Sequence, residues 1–343
     1  MDSAFIIEKS VIIVTVFAIT MIMAMYSTWA ERKVAAFLQD RVGPNRAGWG
    51  GLLQPLADGM KLFAKEEFEP NTPNKFLFVV GPAIAMSTAL MTSAVIPWGD
   101  KLHVFGRDVY LQATDIDVSL LYILGVVSLG VYGIMIGGWA SNNKFSLMGA
   151  VRAASQMVSY EVAMGLSLIA LLMMTGTLSL KEISIQQAGW HWNVLYQPLS
   201  FLIFLICAFA ETNRTPFDLA ECESELIGGY HTEYSSMKMG FYLFAEYANM
   251  FISSTILSVL FFGGYNYPGM GWVVEHWGVN LANVLGIIVL FMKICGFIFF
   301  FMWIRWTIPR FRYDQLMNLG WRVLIPLSIV NIIITGICIL AFK

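Results

Sequence analysis

Leu281-Ala282-Asn283-Val284-Leu285-Gly286-Ile287-Ile288-Val289-Leu290-Phe291-Met292-Lys293-Ile294-Cys295-Gly296-Phe297-Ile298-Phe299-Phe300-Phe301-Met302-Trp303 carries a single charge, Lys293, in a run long enough to cross a membrane. A helix needs about 20 apolar residues to span a hydrocarbon layer roughly 30 Å thick. No aqueous core has room for many such segments, and this chain has several. Working outward, comparable runs occur at 10–30, 76–97, 116–140, 151–174, 198–211, 238–262 and 320–341, which makes eight spans. The run at 198–211 is short and ends in polar sequence. The first run follows Met1 to Lys9 and is read as a retained span, not a signal peptide.

Bulk composition agrees. Of 343 residues, 57% are hydrophobic and 13% charged, and the mean hydropathy is +0.66. Soluble domains hold about 25% charged residues, so the solvent here is largely lipid. The expected fold is all-α: a single membrane domain over 1–343 with about eight transmembrane helices.

Lys and Arg set the orientation, because they gather on the cytoplasmic side of a membrane protein. With eight spans, the loops near 31–75, 141–153, 212–237 and 304–319 share one side. With slightly wider boundaries they hold 15 Lys and Arg residues, against 5 (Lys9, Lys101, Arg107, Lys181 and Lys343) on the other side. The first group is therefore cytoplasmic and both termini periplasmic. The same four loops carry nearly all the unusual sequence, so function is expected on that face.

Several function classes fall away. A net charge of −2 gives no basic field for nucleic acid. Cys207, Cys222, Cys295 and Cys338 are scattered without a C-x-x-C pair, and the four histidines form no H-E-x-x-H, so a metal or iron–sulfur site built by this chain alone is not expected. There is no G-x-G-x-x-G or Walker-type loop, and no segment offers a catalytic triad. Gly133-x-x-x-Gly137 is a small-residue packing device.

Three cytoplasmic segments are dense in polar residues. The first holds Glu31-Arg32-Lys33, then Asp40-Arg41-Val42-Gly43-Pro44-Asn45-Arg46, then Gly50 through Glu66. From Leu52 the apolar residues 52, 53, 56, 60 and 63 share one helical face, with Asp58, Lys61 and Lys65 mostly on another. That pattern is an amphipathic helix at the membrane interface. A plain surface anchor would read the same way, but it leaves Arg32, Arg41 and Arg46 beside Gly-Pro punctuation unexplained. The second segment, Glu211-Thr212-Asn213-Arg214-Thr215-Pro216-Phe217-Asp218 through Glu225, concentrates carboxylates, and on a helix Glu221 and Glu225 would share a face while Glu223 points away. Crowded carboxylates favour holding protons. Glu161 and Glu246 fall inside spans, where a carboxylate is costly and marks function by default. The duller alternative is structural pairing, with Lys293 as an available partner. The third segment, Trp303 through Leu316, mixes aromatics with Arg305, Arg310 and Arg312, as an interfacial belt also would.

These strings resemble the H/ND1 family of membrane subunits of respiratory complex I, NADH-quinone oxidoreductase. The resemblance rests on Glu31-Arg32-Lys33, Arg41-Val42-Gly43-Pro44-Asn45-Arg46, Leu53 through Leu62, Ser159-Tyr160-Glu161, Glu211 through Leu219, Glu221 through Glu225, Ala245-Glu246-Tyr247 and Pro309 through Met317. They run in order along essentially the whole chain. The loops near 98–115, 175–197 and 263–280 carry no such string, and Cys222 stands where a smaller residue is expected.

The resemblance implies one component of an enzyme, NADH:quinone oxidoreductase, not active alone. It would form the mouth and part of the wall of a chamber for a lipid quinone, ubiquinone or menaquinone. Arg32, Arg41, Asp58, Lys61 and Phe217 are the matching chamber or entrance residues, and Arg305 joins them from the third dense segment. Glu161, Glu211, Glu221, Glu223, Glu225 and Glu246 match a chain of carboxylates that links quinone reduction to proton pumping. FMN and iron–sulfur clusters are expected in partner subunits of the peripheral arm, with small membrane subunits and lipid as further neighbours. The expected location is a bacterial inner membrane, or the mitochondrial inner membrane if organellar. One alternative keeps the architecture in a ferredoxin-linked or hydrogenase-type complex. Another, a secondary transporter coupled through Glu161 and Glu246, calls for inverted repeats and interrupted helices, which the sequence does not display.

Overall fold

The computed structural model describes residues 3–70, 74–104, 107–220 and 226–341. Among them seven helices are long and apolar enough to span a membrane. They are α1 (Ser3–Leu38), α3 (Lys75–Thr92), α4 (Ser119–Ala140), α5 (Lys144–Thr175), α9 (Ser236–Phe261), α11 (Val279–Thr307) and the continuous segment from α12 (Tyr313–Asn318) through a π-helical turn into α13 (Ile325–Ala341). The shorter helices are α2 (Gln54–Ala64), α6 (Leu180–Gln186), α7 (Asn193–Tyr196), α8 (Pro198–Glu211) and α10 (Met270–Trp277). The fold is all-α and polytopic, as expected.

Local chemistry sets the helix ends. The Asn74 and Asn143 side chains accept from the backbone N–H groups of Leu77 and Phe145, capping α3 and α5. Gly176, with φ of 70°, closes α5 in the left-handed conformation that a side chain resists. Pro198 opens α8 at a position where a missing N–H costs nothing.

Two expectations shift. α1 and α5 run beyond the spans read at 10–30 and 151–174, so Glu31, Arg32 and Lys33 sit on a helix and not in a loop. Bilayer thickness limits how many residues must be apolar, but it does not stop a helix that meets no breaker before Gly43-Pro44. The second shift lies in the segment near 98–115, which folds into an antiparallel hairpin of β1 (Lys101–Val104) and β2 (Arg107–Tyr110), pairing Lys101 with Tyr110 and His103 with Asp108. Asn280 holds it, accepting from the His103 N–H at 2.8 Å and donating to the His103 carbonyl at 3.0 Å.

Contacts sort the connections into two faces. On one, Ser236 Oγ donates to Leu62 O (3.0 Å), the Phe68 N–H donates to Ser235 Oγ (2.9 Å) and the Phe311 N–H donates to Pro216 O (3.1 Å). On the other, Lys9 Nζ donates to Gln112 O (3.0 Å), Ser184 Oγ to Gly263 O (2.9 Å) and Asn193 Nδ2 to Leu260 O (2.8 Å). Gln197, just before α8, bonds Thr335 of α13 on the second face, while Glu211 ends α8 next to the first. With only 14 residues, α8 therefore makes the eighth crossing. α9 is the hub: 72% of its apolar window is buried, against 22% for α1 and for the last span.

Candidate functional site

On the first face, three elements far apart in sequence converge on one carboxylate. Glu31 of α1 is 5% exposed. Its Oε2 takes a hydrogen bond from Arg214 Nη1 at 2.6 Å, and its Oε1 lies 2.5 Å from Arg305 Nη1 at the end of α11. The Arg214 guanidinium also lies 4.2 Å over the Tyr247 ring of α9. Burial alone would weaken the charge on Arg214, but Glu31, Tyr247 and Glu246 together raise its pKa above the ordinary guanidinium value. Two cations on one buried carboxylate leave a net positive cluster, and Arg214 Nε and Nη2 have no hydrogen-bond partner among the described residues. Arg214 thus feels the charge of both Glu31 and Glu246.

Next to this cluster, Arg32 pairs with Asp58 at 2.7 Å, and Lys61 lies 3.7 Å from the same carboxylate. Gln54 Nε2 donates to Asp58 Oδ1 at 3.1 Å. These contacts hold α2 against α1. The apolar side chains Leu52, Leu53, Leu56, Met60 and Phe63 are left exposed in the isolated chain, as an interfacial helix requires. Of the six residues expected at a quinone chamber, Arg32, Asp58 and Lys61 thus meet, and Arg305 joins Glu31. Arg41 stands apart on the surface, its Nε donating to Gln39. Phe217 is 3% exposed, its ring packed between Tyr160 and Phe311.

Deeper in, Glu211 and Glu246 face a common cavity of about 30 Å³, also lined by Thr212, Tyr230, Tyr242 and Asn249. Glu161 of α5 accepts a hydrogen bond from Ser128 of α4 and lies within electrostatic reach of Glu211. Tyr230 donates to Glu246 Oε1 at 2.9 Å. Three of the six carboxylates expected in a relay therefore lie near one another. Glu221, Glu223 and Glu225 lie outside the described residues. Lys293 does not pair with Glu161 or Glu246. It donates to the Phe262, Gly264 and Asn266 carbonyls at 2.7, 2.8 and 2.8 Å, closing the end of α9 on the opposite face.

Sequence reasoning missed Glu31 and Arg214 as site residues although both lie in the quoted strings. Their pairing spans 183 positions, which no local pattern reveals. It also missed Tyr230, Tyr234 and Tyr242. Tyr234 donates to Phe78 O at 3.1 Å, and burial pushes its pKa up to about 12, so it stays un-ionised at neutral pH.

The protein family described as NADH dehydrogenase matches residues 10–336 of this chain. The chain is similar to the H subunit of NADH-quinone oxidoreductase from Flavobacterium psychrophilum, 87% identical over 343 residues and the whole of both chains. The H subunit from Flavobacterium johnsoniae is 86% identical over 340 residues, 99% of this chain and 97% of its own. The H subunit numbered 1 from Cytophaga hutchinsonii is 64% identical over 340 residues, 98% of each chain. By this match along its length, and by its spans, the chain belongs to the NADH dehydrogenase family, that of the H/ND1 membrane subunits of complex I.

Proposed function

We propose that this chain lines the quinone entrance and chamber of a proton-translocating NADH-quinone oxidoreductase in a bacterial inner membrane, and that it couples quinone reduction to proton movement. The observation that carries the coupling is Arg214, which bonds Glu31 at the interface and is also within the field of Glu246. The interfacial group Arg32–Asp58–Lys61, with the apolar face of α2, supplies a polar mouth beside lipid. Partner subunits of the peripheral arm hold the FMN and iron–sulfur clusters that deliver electrons, shifted protonation passes the signal toward antiporter-like subunits that pump protons, and small membrane subunits are further neighbours.

Reduction of a quinone to a quinol takes up electrons and protons together. Negative charge arriving near Arg305 and Arg214 competes with Glu31 for the guanidinium groups. Any loosening of Arg214 removes positive potential from Glu246, and its carboxylate then binds a proton more readily. Glu211 and Glu161, close enough to repel one another, take part in that redistribution. The fields of Glu31 and Glu246 meet at Arg214, which supports a coupling between the two ends.

Glu161→Gln in the intact complex tests this reading. Assembly is expected to persist, because the amide keeps the bond to Ser128, while protons translocated per NADH oxidised fall severalfold. Normal stoichiometry in membrane vesicles would sink the relay assignment.

A further inference from the structure

Side chains from other elements close the far end of α9, and one of these closures differs in kind from the rest. Gln187 Nε2 donates to Val259 O at 2.9 Å, Asn193 Nδ2 to Leu260 O at 2.8 Å and Ser184 Oγ to Gly263 O at 2.9 Å. Each of these neutral groups meets one carbonyl of this end. Three further carbonyls, those of Phe262, Gly264 and Asn266, turn toward a single point. Lys293 Nζ occupies it at 2.7, 2.8 and 2.8 Å, which uses all three donors of an ammonium. Among the described residues no carboxylate lies within electrostatic reach of it. Phe262 caps a helix C-terminus, where the helix dipole favours positive charge, and the Trp192 ring lies 5.7 Å from Nζ, within cation–π range. The chain is shaped to make this point. Gly263 and Gly264 have φ of 74° and 56°, left-handed values that a side chain resists. A Cβ at Gly264 would come within 2.8 Å of Ser184 Oγ, and one at Gly286 within 2.9 Å of Tyr265 O, so α11 reaches the turn because position 286 is bare. Asn266 Nδ2 donates to Ser184 O at 2.6 Å and fixes the last of the three carbonyls.

We propose that the carbonyls of Phe262, Gly264 and Asn266 form a monovalent-cation site, and that the Lys293 ammonium is its tethered occupant. The assignment goes beyond the quinone and relay reading and does not depend on it. Converging backbone carbonyls replace the hydration shell of potassium in channel filters. Unwound backbone and helix C-termini hold coupling cations in transporters. Here the same kind of donor set, at the end of a helix and the glycine turn after it, meets a singly charged ion carried by the chain itself. A neutral side chain has too few donors and no charge to hold three converging oxygens together. α9 is thus pinned at this end by charge as well as by apolar packing, while its other half carries Glu246 and Tyr247 to Arg214. With the side chain shortened, the three carbonyls remain, supported by Ser184 and the two glycines, and the space that the ammonium leaves suits a free ammonium or potassium ion.

The rival account is that Lys293 is a hydrogen-bonding staple whose charge is incidental. Lys293→Met removes both donors and charge, while Lys293→Gln keeps a donor without the charge. The thermal unfolding midpoint of the whole detergent-extracted complex is measured in choline, ammonium and potassium chloride at equal ionic strength. Both variants are expected to unfold several degrees below wild type in choline, which is too large for the site. Ammonium or potassium should return about half or more of that loss to Lys293→Met and saturate, as a ligand that binds only the folded state does, with no such shift in wild type. A methionine variant that responds alike to all three salts, or a glutamine variant as stable as wild type, would overturn the cation site. Where the methionine variant yields too little complex to unfold, the amount assembled in membranes is compared for Lys293→Arg and Lys293→Gln. More complex with arginine, which keeps the charge, is the expected result, and glutamine equal to or above arginine overturns the assignment.

Discussion

Glu31 shows why a buried carboxylate can be both a structural keystone and a sensor. Its two oxygens are shared between Arg214 and Arg305, and among the described residues neither guanidinium pairs with another carboxylate at this site. Removing one partner of such a group strands charge in a poor solvent and costs about 3–5 kcal/mol. Arg214→Met is therefore expected to destabilise the detergent-extracted complex strongly, and Glu31→Gln to do so for the opposite reason, two unneutralised cations. Groups in direct contact are not independent, so the double variant should recover about 1–3 kcal/mol relative to the sum of the singles. Thermal unfolding of the four proteins measures this, and simple additivity would show that the pair does not act as a unit. Sequence supplied both residues within odd strings but could not join them, because the chain between them folds through several spans. Phe217, whose string matches the chamber residues, has its ring between Tyr160 and Phe311.

Among the elements, α2 was the most legible, because its apolar residues repeat at helical spacing while its charges collect elsewhere. The β1–β2 hairpin was not legible at all. Its residues do not alternate cleanly, and the side chain that holds it, Asn280, is remote in sequence. Gly133 and Gly137 were readable as packing residues, but the tyrosines they admit come from a different part of the chain. The connection from α2 to α3 makes a prediction of its own. Glu67 and Glu69 reach Lys238 at 2.5 and 2.9 Å, tying this connection to the start of α9. Hydrogen bonding and attraction from Lys238 hold the Glu69 carboxyl below its ordinary value of 4.5. A lowered carboxyl pKa stabilises the folded tie above the unfolded value, and that contribution is lost as pH falls through the folded one. Hydrogen exchange of the backbone at 65–70 should be flat from neutral pH down to the ordinary carboxylate range, after correction for intrinsic rates, and then accelerate. A Glu69→Gln variant should exchange faster at neutral pH and lose that acid step. Unchanged protection in the variant would show that the tie contributes nothing there.

For the molecule as a whole, the side of each loop was legible because Lys and Arg resist translocation, whatever the tertiary contacts later do. The contacts then sorted the same loops into the same two groups by an unrelated criterion, hydrogen bonds between neighbouring connections. α8 needed both. Its 14 residues are marginal for a crossing, yet Gln197 and Glu211 reach opposite faces, and a protein-lined environment can shelter a short helix that lipid would not. The remaining question is which face is cytoplasmic, and thiol labelling answers it. Cys207, Cys295 and Cys338 lie inside spans, out of reach of a charged, membrane-impermeant maleimide. Replacing Cys222 with Ser removes the remaining native thiol. On that background Lys65→Cys, exposed after α2, should react in inside-out vesicles and stay unlabelled in right-side-out ones. Glu275→Cys, exposed on α10 at the opposite face, should do the reverse. The orientation carries the functional argument with it, since the Glu31 cluster lies on the Lys65 side. Labelling of Lys65→Cys from the outside would turn the chain over, leaving neither the proposed quinone chamber nor the coupling scheme in place.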